Sequence, residues 1–181
     1  MTNLNPNFAV IGGGSWATAI VKMLCENVPM VHWYMRNQEI IHHIQKEHHN
    51  PNYLSAVEFD PKQLRLSSDI NKVIEASDIL IFVVPSAFLM TELKKIKTDI
   101  SSKIIFSAIK GIVPESQLLV GEHFNTKHNI PLEQIGVITG PCHAEEVALE
   151  RLSYLTIACA NEDHANTLAH FLSSDYIKCN V

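Results

Sequence analysis

Short apolar runs recur along this chain, each followed by turn residues and then by a segment with apolar positions at helical spacing. Phe8 to Ile11 contains no turn former and reads as a strand buried on both faces. Ser15 to Leu24 reads as a helix, Met30 to Met35 as a second strand, and Gln38 to Glu47 as a helix with Ile40, Ile41 and Ile44 on one face. Asn50-Pro51-Asn52 ends that helix, and a loop runs through Tyr53 to Pro61. Leu64 to Leu66 is a short strand, and Asp69 caps a helix over Ile70 to Ala76. Ile79 to Val84 is the clearest strand of all, closed by Pro85; a helix over Phe88 to Ile96 follows. Beyond it the pattern predicts a strand at Lys103 to Ser107, an interruption at Gly111 to Pro114 and a helix over Ser116 to His123. Ile135 to Thr139 is a further strand, Glu145 to Leu149 helical, Tyr154 to Ala158 extended and Glu162 to Leu172 helical. Strands alternating with helices specify an α/β fold, doubly wound, with a mostly parallel sheet and helices on both faces.

Ligands in such sheets gather beyond the carboxyl ends of the strands. Those ends hold Gly12 to Gly14, Arg36, Pro85-Ser86, Lys110-Gly111 and Gly140-Pro141-Cys142, so the glycine and polar punctuation falls on one rim. The first of these blocks, Gly12-Gly13-Gly14-Ser15-Trp16-Ala17, stands between a strand and a helix and follows a G-x-G-x-x-A pattern. Strand, glycine turn and helix start in that order make a dinucleotide-binding phosphate cradle. Gly12 permits the tight turn, Gly14 lets an anion approach the backbone, and Ala17 keeps helix and strand close. Open N–H groups at the helix start then face the diphosphate. At the end of the second strand a carboxylate would bind the ribose hydroxyls of NAD. Arg36 occupies that place instead, which favours NADPH over NADH, with Glu39 nearby keeping NAD in play. Lys110, at a strand end beside Gly111, is placed to bind a substrate phosphate or carbonyl.

Composition narrows the reading further. A hydrophobic content of 46% with 18% charged residues fits a globular domain, and 181 residues are ample for one α/β core. A net charge of −5 gives no reason to expect nucleic acid or an anionic membrane as partner. No apolar stretch has the length to insert in a bilayer and Met1 to Asn7 has no leader pattern, so a cytoplasmic location is expected. Cys25, Cys142, Cys159 and Cys179 stand far apart and read as reduced thiols. His42, His43, His48 and His49 cluster, but neighbours on a helix diverge, so a solvated face is expected there and no metal site. Cys142 and His143, adjacent in sequence, do not constitute a nucleophile–base pair.

Taken together, Gly12-Gly-Gly-Ser-Trp-Ala-Thr-Ala, Val84-Pro-Ser, Lys110-Gly-Ile and Gly140-Pro-Cys-His-Ala-Glu-Glu-Val-Ala resemble, in order and spacing, the bacterial NAD(P)-dependent glycerol-3-phosphate dehydrogenases. The resemblance covers essentially the whole chain. It implies a Rossmann-type cofactor domain followed by an all-helical substrate domain, paired into homodimers. The implied activity is reversible reduction of dihydroxyacetone phosphate to sn-glycerol 3-phosphate with NAD(P)H, feeding phospholipid synthesis. By position it assigns Ser15, Trp16, Arg36, Tyr53, Lys110 and the backbone of Ala144 to the dinucleotide, alongside Gly12 and Gly14. It assigns Lys110, Gly140 and Cys142 to the substrate. Three departures stand out: Ala17 in place of a third glycine, Cys142-His143 where Ser-Phe is common, and length. The helical domain, with its general acid–base lysine and phosphate-gripping Arg-Asn group, is expected to be absent from residues 1–181, leaving this chain inactive alone. Another two-domain hydroxyacid dehydrogenase and a non-catalytic dinucleotide-sensing module remain open readings of the same residues.

Overall fold

A computed structural model describes residues 5–181, so Met1 to Leu4 of the N-terminal stretch lie outside the described residues. The first half alternates strictly: β1 (Phe8–Ile11), α1 (Ser15–Cys25), β2 (Val31–Tyr34), α2 (Gln38–Glu47), β3 (Leu64–Ser67), α3 (Ile70–Glu75), β4 (Ile79–Phe82), α4 (Ser86–Leu93) and β5 (Ile104–Ser107). The second half holds β6 (Ile112–Val113), β7 (Leu118–Leu119), α5 (Val120–His128), β8 (Ile135–Thr139), α6 (Ala144–Ala148), β9 (Ser153–Cys159), α7 (Glu162–Leu172) and β10 (Ile177–Asn180). A 3₁₀ turn at Leu132–Gln134 leads into β8.

Eight strands form one sheet in the order β10-β9-β8-β5-β4-β1-β2-β3. Neighbours from β3 through to β8 run parallel, β9 runs antiparallel to β8, and β10 is parallel to β9. Every residue of β1 and β4 is buried, as central strands covered on both faces require. One apolar layer gathers α1, α2 and α7 against the sheet; the other gathers α3, α4 and α5. After β3 the chain crosses from one side of β1 to the other before entering β4. That reversal opens a crevice at the carboxyl ends of β1 and β4, the place where doubly wound sheets bind ligands.

The hairpin and helix after β5 depart from expectation. Ile112–Val113 and Leu118–Leu119 pair antiparallel, and Gln117 between them has φ +56°, which no helix tolerates. The helix expected over Ser116 to His123 therefore begins at Val120, where the Glu122 carboxylate accepts the Leu119 N–H at 3.0 Å. Helix α4 starts at Ser86 rather than Phe88, directly after the extended Pro85. The C-terminal strand β10 was not expected: Ile177 is buried, but the flanking residues are polar, and only pairing with β9 makes the segment a strand.

The histidine cluster differs in part from a solvated face. His42 and His48 are exposed, but His43 and His49 stack with ring centroids 4.9 Å apart and are half-buried. All four cysteines are free thiols. Among the described residues no helix is long and apolar enough to cross a membrane.

Candidate functional site

The glycine turn begins directly after β1, and its geometry follows from crowding beneath it. Gly12 has φ +142°, and a Cβ there would lie 2.1 Å from the Val83 carbonyl oxygen at the end of β4. Only glycine lets the two central strands release their chains this close together. Gly14, by contrast, has ordinary extended angles (φ −83°, ψ −176°) and nothing within 4 Å of a built Cβ. The protein itself does not demand glycine at 14; the missing side chain leaves space on the ligand side.

The orientation of the turn is fixed by donors underneath it. The Trp33 indole on β2, fully buried, donates to the Gly12 carbonyl at 2.7 Å. The Thr18 N–H and hydroxyl both donate to the Gly14 carbonyl, at 3.0 and 2.9 Å. In a trans peptide the N–H of the next residue points opposite to the carbonyl, so the Gly13 and Ser15 amides are turned away from these donors. Gly14 gives α1 no side-chain cap, and the first-turn amides remain available to an anion.

In front of this turn lies a cleft of about 990 Å³. Gly14, Ser15 and Trp16 form one wall, Val83 to Ser86 the base, and Ser107 to Gly111 with Thr139, Gly140 and Cys142 the opposite side. Lys110 is exposed at the end of β5 and makes no hydrogen bond or ion pair among the described residues. Gly140 has φ +136°, and a side chain there would meet the Tyr154 carbonyl at 2.6 Å. The turn after β8 is thereby pressed against the start of β9, which brings Cys142 to the cleft wall. Burial pushes the Cys142 thiol above the usual range, with Ser153 opposing, so the group stands as a neutral thiol. Ala144, buried at the start of α6, completes this side.

Of the residues singled out from sequence, Gly14, Ser15, Trp16, Lys110, Gly140, Cys142 and Ala144 converge on one cleft. Gly12 sits below it as the hinge of the turn. Arg36 and Tyr53 do not line it. Arg36 lies past the end of β2, its guanidinium 5.5 Å from the centre of the Phe88 ring on α4. Phe88 is 46% exposed, unusual for a phenylalanine, and with Arg36 offers a flat aromatic–cationic surface beside the turn. Tyr53 is 44% exposed on the loop after α2. Sequence reasoning missed Trp33 and Phe88. Trp33 was hidden by its place in an apolar strand; Phe88 carried a signal, an aromatic just beyond Pro85-Ser86 on the ligand rim.

A polar triangle centred on the buried Glu92 carboxylate stands beside the Arg36–Phe88 surface. Tyr34, at the end of β2, donates its hydroxyl to Glu92 of α4 at 2.6 Å, and Lys95 donates to Glu92 at 2.8 Å. Glu92 is only 3% exposed, and burial together with this bond raises the Tyr34 phenol above its ordinary value. The triangle ties the strand carrying Arg36 to the helix carrying Phe88.

Comparison with known proteins agrees with this architecture. The family described as NAD-dependent glycerol-3-phosphate dehydrogenase N-terminus matches residues 7–165. A glycerol-3-phosphate dehydrogenase (NAD(P)+) from an Exiguobacterium species is 35% identical over 178 residues, 95% of this chain and 51% of that protein. One from Bacillus pumilus is 32% identical, covering 86% of this chain and 46% of its own length. The solved glycerol-3-phosphate dehydrogenase of Plasmodium falciparum superposes with a TM-score of 0.85 at 27% identity, covering 97% of this chain and 52% of that one. An imine reductase from Myxococcus stipitatus, at TM-score 0.64 and 13% identity, shares the fold alone. The chain spans about half the length of the curated relatives it matches. With a sequence match over residues 7–165 and a glycine turn, Lys110 and Gly140-Cys142 gathered on one cleft, this chain belongs to the NAD-dependent glycerol-3-phosphate dehydrogenase family, as its N-terminal portion.

Proposed function

We propose that this chain is the dinucleotide-binding domain of an oxidoreductase that interconverts dihydroxyacetone phosphate and sn-glycerol 3-phosphate. The observation that carries the reading is one cleft at the sheet switch point, lined both by the glycine turn with its uncapped helix start and by Lys110. The residues fit a nicotinamide dinucleotide on structural grounds. Gly14 leaves its Cβ position open, the carbonyls beneath are drawn inward, and an exposed Phe88 lies under Arg36 where an adenine ring would extend. When bound, NAD(P)H supplies the hydride.

The chain's own residues do the rest. The first-turn amides of α1 hold the diphosphate, with Ser15 and Trp16 at the wall. The Arg36 guanidinium favours a 2′-phosphate and hence NADPH, and Tyr53 is assigned to the dinucleotide by its place in Asn50-Pro-Asn-Tyr-Leu. The Ala144 backbone, at the start of α6, would contact the dinucleotide. Lys110, with no carboxylate partner among the described residues, draws the substrate's anionic and carbonyl oxygens toward it and stabilises charge growing there. Gly140 and Cys142 line the substrate side, where a neutral thiol is a weaker donor than a hydroxyl. Proton transfer to the substrate oxygen and the grip on its phosphate are assigned to a helical second domain, as in the two-domain plan the resemblance implies. The complete enzyme is read as a cytoplasmic homodimer serving phospholipid synthesis.

The test is a fluorescence titration of the chain with NADPH and with NADH. Saturable binding to both, tighter for NADPH, is expected; absence of saturation by folded protein refutes the reading. In the complete enzyme, Lys110→Met is expected to lower kcat/KM for dihydroxyacetone phosphate, and unchanged kinetics would remove Lys110 from the site.

A further inference from the structure

Asn50 terminates the segment after α2 and is fully buried, an uncommon place for an amide side chain. Its Nδ2 donates to the Gly13 carbonyl at 3.3 Å and to the Thr18 hydroxyl at 3.0 Å. Its Oδ1 accepts the Asn52 N–H at 3.1 Å. Both ends of the amide are thus engaged, one by the glycine turn and one by the loop that leads to Tyr53. The Thr18 hydroxyl that Asn50 contacts donates in turn to the Gly14 carbonyl at 2.9 Å.

From these contacts we propose that Asn50 is a positioning residue for the dinucleotide: it sets the Gly13–Gly14 peptide plane, and it couples the diphosphate cradle to the Tyr53 loop. This inference rests on the cofactor reading above. The Gly13 carbonyl has no other donor among the described residues, whereas the Gly12 and Gly14 carbonyls are held by Trp33 and by the Thr18 backbone. With its carbonyl fixed toward Asn50, the planar trans peptide directs the Gly14 N–H the opposite way. Without the amide, that plane rotates freely, since glycine on both sides imposes no barrier of its own. Gly14 also lines the cleft, and a Cβ there would meet nothing within 4 Å. A misdirected N–H there presents a carbonyl oxygen to the anion, so the damage falls on the diphosphate and not on the adenosine.

The experiment measures three ligands on the same chain by titration calorimetry: NADPH, ADP-ribose and adenosine 2′-monophosphate, which lacks the diphosphate. Asn50→Ala removes all the side-chain bonds; Thr18→Val removes the relaying hydroxyl while keeping size and β-branching. Asn50→Ala is expected to weaken NADPH and ADP-ribose by about tenfold or more, the effect of one buried hydrogen bond and one misaligned donor. Thr18→Val should weaken them in the same direction, and adenosine 2′-monophosphate should change by less than about twofold in both variants, within the scatter of an unaffected contact. If Asn50→Ala loses native circular dichroism, the selective loss in Thr18→Val decides the question. Equal weakening of all three ligands, or none, overturns the positioning role while leaving the cofactor reading intact. No binding of NADPH or ADP-ribose by the unaltered chain overturns the cofactor reading and the positioning role with it.

Discussion

Gly12→Ala and Gly14→Ala, two residues apart in one turn, are expected to fail in opposite ways. At Gly12 the backbone has φ +142°, where an L side chain adds strain of about 1–3 kcal/mol. The new methyl would also lie 2.1 Å from the Val83 carbonyl oxygen. That oxygen belongs to the main chain between β4 and α4 and cannot swing aside, so overpacking costs about 1–3 kcal/mol more. The combined loss of about 2–6 kcal/mol is a large share of the 5–15 kcal/mol that typically holds a domain together. For a chain of this size, about 2–4 °C of melting temperature goes with each kcal/mol, so a drop of about 5 °C or more is expected. At Gly14 the angles suit alanine and nothing lies within 4 Å. Restricting the unfolded chain gains about 0.4–1 kcal/mol. Losing glycine for alanine at the N-cap gives back about the same, so stability should stay within about 0.5 kcal/mol of the parent. Its methyl instead occupies the space where the diphosphate sits, and NADPH affinity should fall by about tenfold or more. Urea denaturation and NADPH titration on both variants make the check. A stable Gly12→Ala, or a Gly14→Ala that melts early while binding normally, refutes the reasoning.

Three further outcomes follow from the same geometry. Trp33→Phe keeps the ring in the core but strands the buried Gly12 carbonyl, costing about 1–3 kcal/mol in a urea midpoint measurement; an unchanged midpoint would show that the indole bond contributes nothing. Arg36→Glu should reverse the coenzyme order, weakening NADPH far more than NADH in parallel titrations, and equal loss of both would place Arg36 outside the 2′-phosphate site. Alkaline pH should destabilise the fold. Burial pushes the Cys25 thiol up to about 12, and burial with the Glu26 contact pushes the Tyr176 phenol up to about 12. Both groups hold their protons in the native state after the unfolded chain has begun to lose them. The Cys25 contribution is therefore whole below pH 9.0 and declines as pH rises toward 12, by up to about 1.4 kcal/mol per pH unit, whereas that of the more exposed Tyr176 begins to decline only from pH 10.0 and is smaller because solvent screens it. Urea midpoints at pH 8 and pH 10.5 read this directly, and Cys25→Ala should shallow the decline; a flat profile would contradict it.

Much of the site was legible because its residues sit at strand ends, and strand ends are marked by local signals. Gly12 to Gly14, Lys110-Gly111 and Gly140-Pro141 each interrupt an apolar run, and one parallel sheet brings all such interruptions to one edge. The residues that hold those segments in place left no such trace. Trp33 reads as one more apolar strand residue, Glu92 as a helix surface charge and Asn50 as a helix terminator. Their roles depend on what stands across from them: a Gly12 carbonyl, the Tyr34 hydroxyl, a Gly13 carbonyl. The β6–β7 hairpin was missed for a similar reason, since each strand has only two residues and draws its identity from the other. Strand β10 likewise exists through its ladder with β9.

The sequence by itself determined the α/β alternation, the placement of the glycine turn between strand and helix, and the family. All three are written in near-neighbour patterns: runs of apolar residues, breakers and motif spacing. Only the tertiary structure decided which carbonyls of the turn face inward, that Arg36 lies over Phe88, and that Lys110 shares a cleft with Gly14 and Cys142. Hydrogen-bond partners and cleft walls are set by pairing between segments far apart in the chain, and such pairing is decided by burial and geometry summed over the whole fold.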